Sequence, residues 1–137
     1  MEEFLDADDA VIRAAGLSDG KLATLRRAGE AIASGAISEA MLEERSSADA
    51  ASLLRGIKGI GPWTVAVILL RRLGRLDAFP GNDSSVAANF ALVAGERLEA
   101  TSVVEALGSQ RGMLYFYLLL ARLETRGEVG RASDVTK

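Results

Sequence analysis

The sequence contains no cysteine and no histidine among its 137 residues. Without cysteine there can be no disulfide, no thiolate nucleophile, and no cysteine-ligated zinc ion or iron–sulfur cluster. Without histidine, Ser–His and Cys–His hydrolases and most transition-metal sites are excluded. Any acid–base chemistry must therefore come from carboxylates, lysine or tyrosine, and we expect no resident cofactor.

Aromatic residues and long apolar runs are also scarce. Aromatics make up 5% of the chain, whereas hydrophobic residues make up 49%, and much of that share is alanine and leucine, which favours helices over sheets. No apolar run approaches the roughly 20 residues needed to span a bilayer, and the acidic N-terminus MEEFLDADDA is unlike a signal peptide. The sequence predicts a soluble, cytoplasmic, all-α protein with one domain over residues 1–137 and no membrane partner.

Acidic residues are missing from one stretch of this otherwise acidic chain. The net charge is −3, yet residues 50–75 contain no acid and five bases, Arg55, Lys58, Arg71, Arg72 and Arg75. Acidic flanks on both sides should keep non-specific attraction to polyanions weak while leaving one attractive surface.

Helical spacing and capping residues predict a bundle of short helices. The last of them should carry a wide apolar face that includes Met113, Tyr117, Leu120 and Leu123 or their neighbours, and residues 127–137 are predicted to be a frayed tail. We predict helices over residues 6–15, 19–33, 64–73, 84–94 and 110–126. Three further helices are predicted: a short one after Ser38, one from Ser46 or Ser47 to the central turn, and one capped by Thr101 or Ser102 with Glu105.

The central feature is a glycine-rich turn within a predicted helical hairpin at about residues 47–73. Gly56, Gly59 and Gly61 can take positive φ and approach a ligand closely, and Pro62 suits a first helical position. Backbone N–H groups at Gly59, Gly61 and Trp63 would then face a phosphate beside a helix N-terminus. The alternative interpretation is that these glycines only let two helices pack closely.

Three segments of the sequence carry a family resemblance. They are LLRGIKGIGPWTVAVILLRRLGRLDAFPGNDSSVA, the preceding AGLSDGKLATLRRAGEAI and the following SQRGMLYFYLLLARL. The chain resembles, over roughly residues 10–125, the helix-hairpin-helix DNA glycosylases, specifically the alkylbase group that includes 3-methyladenine DNA glycosylase II. The resemblance implies an all-helical bundle that contains the hairpin, acts on double-stranded DNA in base excision repair, and hydrolyses the N-glycosidic bond of alkylated bases.

The resemblance also implies roles for individual residues. Asp83 matches the family's essential carboxylate, which stabilises positive charge on the sugar of a flipped-out nucleotide and helps to position water. Trp63 would line the base pocket, and it stands where bifunctional relatives carry a nucleophilic lysine, so the pattern is monofunctional, without a lyase step. One DNA phosphate would be held by the hairpin residues Lys58, Gly59, Ile60, Gly61 and Thr64.

Further contacts follow from the same resemblance. Arg55 and Arg111 would contact phosphates, and a sodium or potassium ion could be shared between the phosphate and carbonyls near Ile57. On local grounds alone, Asp83 is at least as well explained as a helix N-cap, Trp63 as a core residue, and Arg111 as a contact to a helix end.

The chain departs from the family at its start, because it begins after the N-terminal helices that complete the DNA cleft in full-length members. We therefore expect exposed apolar surface that a second copy of the chain or a separate partner would cover. The alternative function is a truncated or non-catalytic helix-hairpin-helix DNA-binding module that needs a partner or the missing half for activity.

Overall fold

The structure is a computed structural model that describes residues 2–81, 83–95 and 99–128. All regular elements in these ranges are helical, which confirms the predicted all-α class. Asn82 lies outside the described residues. So do residues 129–137, which make up most of the predicted tail. Within the described part, no helix is both long enough and apolar enough to cross a membrane.

The chain divides into two compact units, Met1–Val65 and Ala66–Lys137. The prediction of one domain over residues 1–137 stays a prediction. In the first unit, the buried apolar residues are Leu22, Ile37, Leu42, Ala50, Leu54 and Val65. Its helices are α1 (Glu2–Asp6), α2 (Asp9–Ala14), α3 (Asp19–Ala33), α4 (Glu39–Glu43) and α5 (Ser47–Arg55), and α6 (Pro62–Val67) begins in it.

The helix predicted over residues 6–15 begins later than predicted, because α2 spans Asp9–Ala14 and the separate helix α1 ends at Asp6. Asp8 caps α2, since its side chain accepts a hydrogen bond from the Ala10 amide at 2.9 Å. Arg26 of α3 donates to the carbonyls of Phe4, Leu5 and Ala7 and pairs with Asp9 at 2.8 Å. One guanidinium thus satisfies carbonyls that the end of α1 leaves without helical partners.

The second helix of the hairpin is not α-helical throughout. Pro62 is its first residue, as predicted, but after Val67 the backbone continues as a π-helical segment, Ile68–Arg72. The Leu73 amide donates to the Ile68 carbonyl at 3.3 Å, five residues back, and the Arg75 amide donates to the Leu69 carbonyl at 2.9 Å. The predicted helix over 64–73 therefore contains a widened last part.

The second unit packs two long helices against a shorter one. They are α7 (Ser84–Ala94), α8 (Ala100–Leu107) and α9 (Arg111–Thr125), with a 3₁₀ segment at Gly108–Gln110. The buried apolar residues of this unit are Leu69, Leu70, Val86, Phe90 and Leu118. One cluster consists of Val86, Phe90 and Leu118, with Phe79, Ala94, Ala100, Val103 and Leu114 packed against it.

Gly112 lets α9 start directly against the loop that precedes α7. Its amide donates to the Leu76 carbonyl at 2.6 Å. A Cβ atom at Gly112 would lie 2.8 Å from that oxygen, 2.9 Å from the Ala78 carbonyl oxygen and 2.5 Å from a Leu70 methyl. Because two of these neighbours are backbone atoms, this approach is open only to glycine.

The predicted start of α8 is wrong, and the apolar face of α9 is only partly buried. The capping pattern of Ser102 and Glu105 does not start α8, which begins at Ala100 after Glu99, because Ala100 and Val103 gain burial against the core. Met113, Tyr117 and Leu120 do not form the buried face of α9. They are 37%, 63% and 53% exposed, while Gly112 and Leu118 are buried.

Candidate nucleic-acid interface

The candidate site in the first unit is the turn between α5 and α6. The Ile57 amide donates to the Leu54 carbonyl at 3.1 Å, and the Ile60 amide donates to the Ile57 carbonyl at 3.0 Å, so the chain reverses in a tight bend. Of the three glycines, only Gly59 has positive φ, at 101°. The turn therefore has one position whose conformation strongly favours glycine.

Several amides of this turn remain unsatisfied. The backbone N–H groups of Lys58, Gly59, Gly61 and Thr64 donate to no acceptor within residues 2–81, 83–95 and 99–128. The Thr64 hydroxyl likewise makes no hydrogen bond to any described residue, and Thr64 is half-buried. Unpaired amides in a tight bend are the kind of group that binds anions in proteins, and phosphate binding by this turn stays a prediction.

Two residues of α3 support the turn from behind. The Arg27 guanidinium donates to the Lys58 carbonyl at 3.2 Å across 31 residues of sequence. Thr24 packs so closely that a Cβ atom at Gly59 would lie 2.0 Å from its hydroxyl oxygen. The turn therefore packs against a further helix, α3, besides the two helices that it joins. The site predicted from the sequence did not include α3.

Positive side chains surround the turn in the first unit. Arg55 and Lys58 are exposed and form no ion pair with any described residue, and Arg27 adds a third positive charge beside the Lys58 carbonyl. An anion at the turn would therefore meet amide donors and positively charged side chains.

Trp63 is the second residue of α6 and is 46% exposed. A core tryptophan has most of its ring removed from water, so Trp63 is not one of the buried core residues. Its place in a base pocket stays a prediction.

Asp83 belongs to the second unit, where it caps α7. Its Oδ1 accepts hydrogen bonds from the Ser85 amide at 2.8 Å and from the Ser85 hydroxyl at 2.6 Å, and the residue is half-buried. The local N-cap interpretation is therefore correct as geometry. It does not exclude chemistry, since two hydrogen bonds to one oxygen hold the carboxylate in a defined orientation.

Arg111, also in the second unit, makes a helix-end contact. Its Nε donates to the Gly108 carbonyl, where α8 ends, at 2.8 Å. The other guanidinium nitrogens have no acceptor in the described part of the chain. A phosphate contact by those nitrogens stays a prediction.

A comparison with known proteins identifies a similar sequence. Over 86 residues, which are 62% of this chain, the sequence is 40% identical to DNA-3-methyladenine glycosylase 1 of Schizosaccharomyces pombe (strain 972 / ATCC 24843). The chain is related to a DNA glycosylase. The match spans 38% of the length of that relative. No family model and no solved structure matches.

The turn was predicted from the sequence, but its contacts with Thr24 and Arg27 were not. Glycine spacing indicated the turn because the conformational demand is local. Nothing local marks Thr24 or Arg27, since they lie 35 and 31 residues before their partners and form part of an ordinary amphipathic pattern. The only available signal was the placement of three bases on one helix, Lys21, Arg26 and Arg27.

Proposed function

We propose that this chain is the hairpin-containing part of a monofunctional DNA N-glycosylase that removes alkylated bases from double-stranded DNA in base excision repair. The observation that carries the proposal is the 40% identity to a DNA-3-methyladenine glycosylase. The unsatisfied amides of the turn, beside Arg55 and Lys58, support it because they suit a DNA phosphate.

In the proposed reaction, the bond between the sugar C1′ and the base nitrogen breaks, and its electron pair leaves with the base. An alkylated base that carries positive charge becomes neutral as it leaves. Positive charge develops on the sugar, where the Asp83 carboxylate stabilises it, and a water oxygen then bonds to C1′ and releases one proton to the solvent. Base extrusion must come first, because the reacting atoms are inaccessible within the stack.

The remaining residues have supporting roles in the proposal. Trp63 would stack on the extruded base, and its electron-rich ring suits a cationic one. Because tryptophan has no amine, it cannot form the covalent sugar adduct that leads to strand cleavage. The Ile57 carbonyl accepts one hydrogen bond, from Ile60, and its second lone pair could take a sodium or potassium ion.

Base release from alkylated duplex DNA tests the proposal, with Asp83→Asn as the decisive variant. Asparagine is as good an N-cap as aspartate, so α7 should keep its start and the variant should fold. We expect release to fall by a factor of about 10²–10³ while DNA binding persists, and no strand cleavage without added base or heat. Ser38→Ala, which removes an N-cap of α4 in the other unit, serves as the control for lost capping and should release base at the wild-type rate.

The second candidate function is a non-catalytic hairpin module that binds the DNA backbone. The capping role of Asp83 favours it, because that role explains the residue without any chemistry. In this case Asp83→Asn would leave every measured property nearly unchanged, and the wild-type chain would bind DNA in a salt-dependent way without releasing base.

A further inference from the structure

A groove in the first unit opens beside the turn. It is an open depression with a volume of about 580 Å³. One side carries Leu17, Lys21 and Leu25 from α3 and the residues before it, and the other side carries Gly59 and Thr64. The groove is therefore continuous with the amides proposed to hold a phosphate.

The polar side chains of the groove are one lysine and three hydroxyls, all of which can donate hydrogen bonds. Lys21 is exposed and forms no ion pair with any described residue, and the Ser18 hydroxyl makes no hydrogen bond there. The groove lining includes no carboxylate, and the nearby carboxylate of Asp19 is neutralised by Arg13 at 2.7 Å. With the free amide and hydroxyl of Thr64, this lining suits an anionic ligand.

The same groove has an apolar part. Leu25 is 42% exposed although it lies on the helix that supports the turn, and Leu17 is half-buried beside it. A ligand with a carbon face next to an anionic group would use both parts, and a nucleotide backbone has this composition.

We propose that this groove binds a second sugar–phosphate unit of the DNA strand, next to the phosphate held by the turn. Lys21 contacts its phosphate, and Leu25 packs against its sugar. One phosphate contact fixes a point on the strand, whereas two neighbouring contacts fix its direction and register. This inference rests on the proposed function, because it needs DNA at the turn.

The test uses DNA binding by the full chain as a function of salt, on a duplex with a stable abasic analogue. Lys21→Gln should weaken binding and lower the slope of log affinity against log salt by about 0.9, the value for one lost phosphate contact on B-DNA. The matched control is Arg126→Gln, which removes one positive charge at the C-terminal end of α9, where Arg126 lies 3.7 Å from Glu128. The control should keep the wild-type slope.

Two further measurements identify the contact. Uncharged methylphosphonate linkages, placed one at a time along the strand, should reduce wild-type binding at two neighbouring positions and Lys21→Gln binding at only one of them. Leu25→Ala should weaken binding without changing the salt slope, because it removes no charge.

The inference is overturned if Lys21→Gln matches Arg126→Gln in slope, or if it remains sensitive at both linkages. In that case, the proposed function is unaffected as long as the wild-type chain binds DNA with the usual salt dependence. Absence of salt-dependent DNA binding by the wild-type chain would overturn the proposed function and the second contact together. Circular dichroism of each variant shows that it has kept its helices.

Discussion

Replacing Gly59 with alanine perturbs the turn in two separable ways. The backbone at this position has φ 101°, which an L side chain rarely adopts. The new Cβ atom would also lie 2.0 Å from the Thr24 hydroxyl oxygen and 3.0 Å from its Cβ and Cγ2 atoms. Thr24 cannot rotate away freely, because its hydroxyl donates to the Gly20 carbonyl at 2.9 Å.

The two effects add to a substantial loss of stability. A left-handed conformation costs an L residue about 1–2 kcal/mol, and overpacking of a close contact costs about 1–3 kcal/mol. We therefore expect Gly59→Ala to lower the free energy of unfolding by about 2–5 kcal/mol. Combining it with Thr24→Ala removes the hydroxyl and methyl contacts but leaves Cβ at 3.0 Å, so the double variant should recover only part of the loss.

Urea unfolding, followed by circular dichroism and by the fluorescence of the single tryptophan, Trp63, measures these changes. Gly61→Ala is the matched control in the same turn. Gly61 has no positive φ, and nothing lies within 4 Å of a Cβ atom added there. The free energy of unfolding of this variant should therefore rise by about 0.4–1 kcal/mol, because alanine lowers the conformational entropy of the unfolded chain. Equal stability of Gly59→Ala and Gly61→Ala would refute the argument, as would full recovery in the double variant.

Three further changes test the cores and caps. Leu118→Ala, in the core of the second unit, should cost about 2–5 kcal/mol, whereas Leu120→Ala, at a position 53% exposed, should stay within about 0.5 kcal/mol. Ser46→Ala removes a cap that accepts from the Asp49 amide at 3.1 Å and should cost about 1 kcal/mol, whereas Ser18 makes no cap bond and its alanine variant should cost less. Gly112→Ala should lower the melting temperature markedly, because two carbonyl oxygens must move. Thermal unfolding by circular dichroism measures all of them.

Local signals in the sequence were enough to predict several helices. The bounds of α3 and α7 agree with the sequence prediction, because α3 has a clear apolar period and a serine before it, and α7 follows a strong capping residue. The beginning of α8 was misplaced because burial of Ala100 against the core extends the helix past the best capping residues.

Other features lie beyond sequence periodicity. In α9, Met113 to Leu120 are all apolar, so no period distinguishes the buried Leu118 from the exposed Tyr117. The run from Val65 to Leu70 is also apolar throughout, and nothing in it marks the π-helical segment that starts at Ile68. In the candidate site, the turn was predictable from its glycines, whereas its contacts with Thr24 and Arg27 depend on tertiary packing.

The contacts of Thr24 and Arg27 with the turn limit how small a transferable copy of this turn can be. A peptide covering only residues 47–73 would keep the glycines and the flanking helices, but it would lose the guanidinium that holds the Lys58 carbonyl and the side chain that packs on Gly59. Grafting this turn onto another scaffold therefore requires α3 as well, or a host helix with threonine and arginine in the same register.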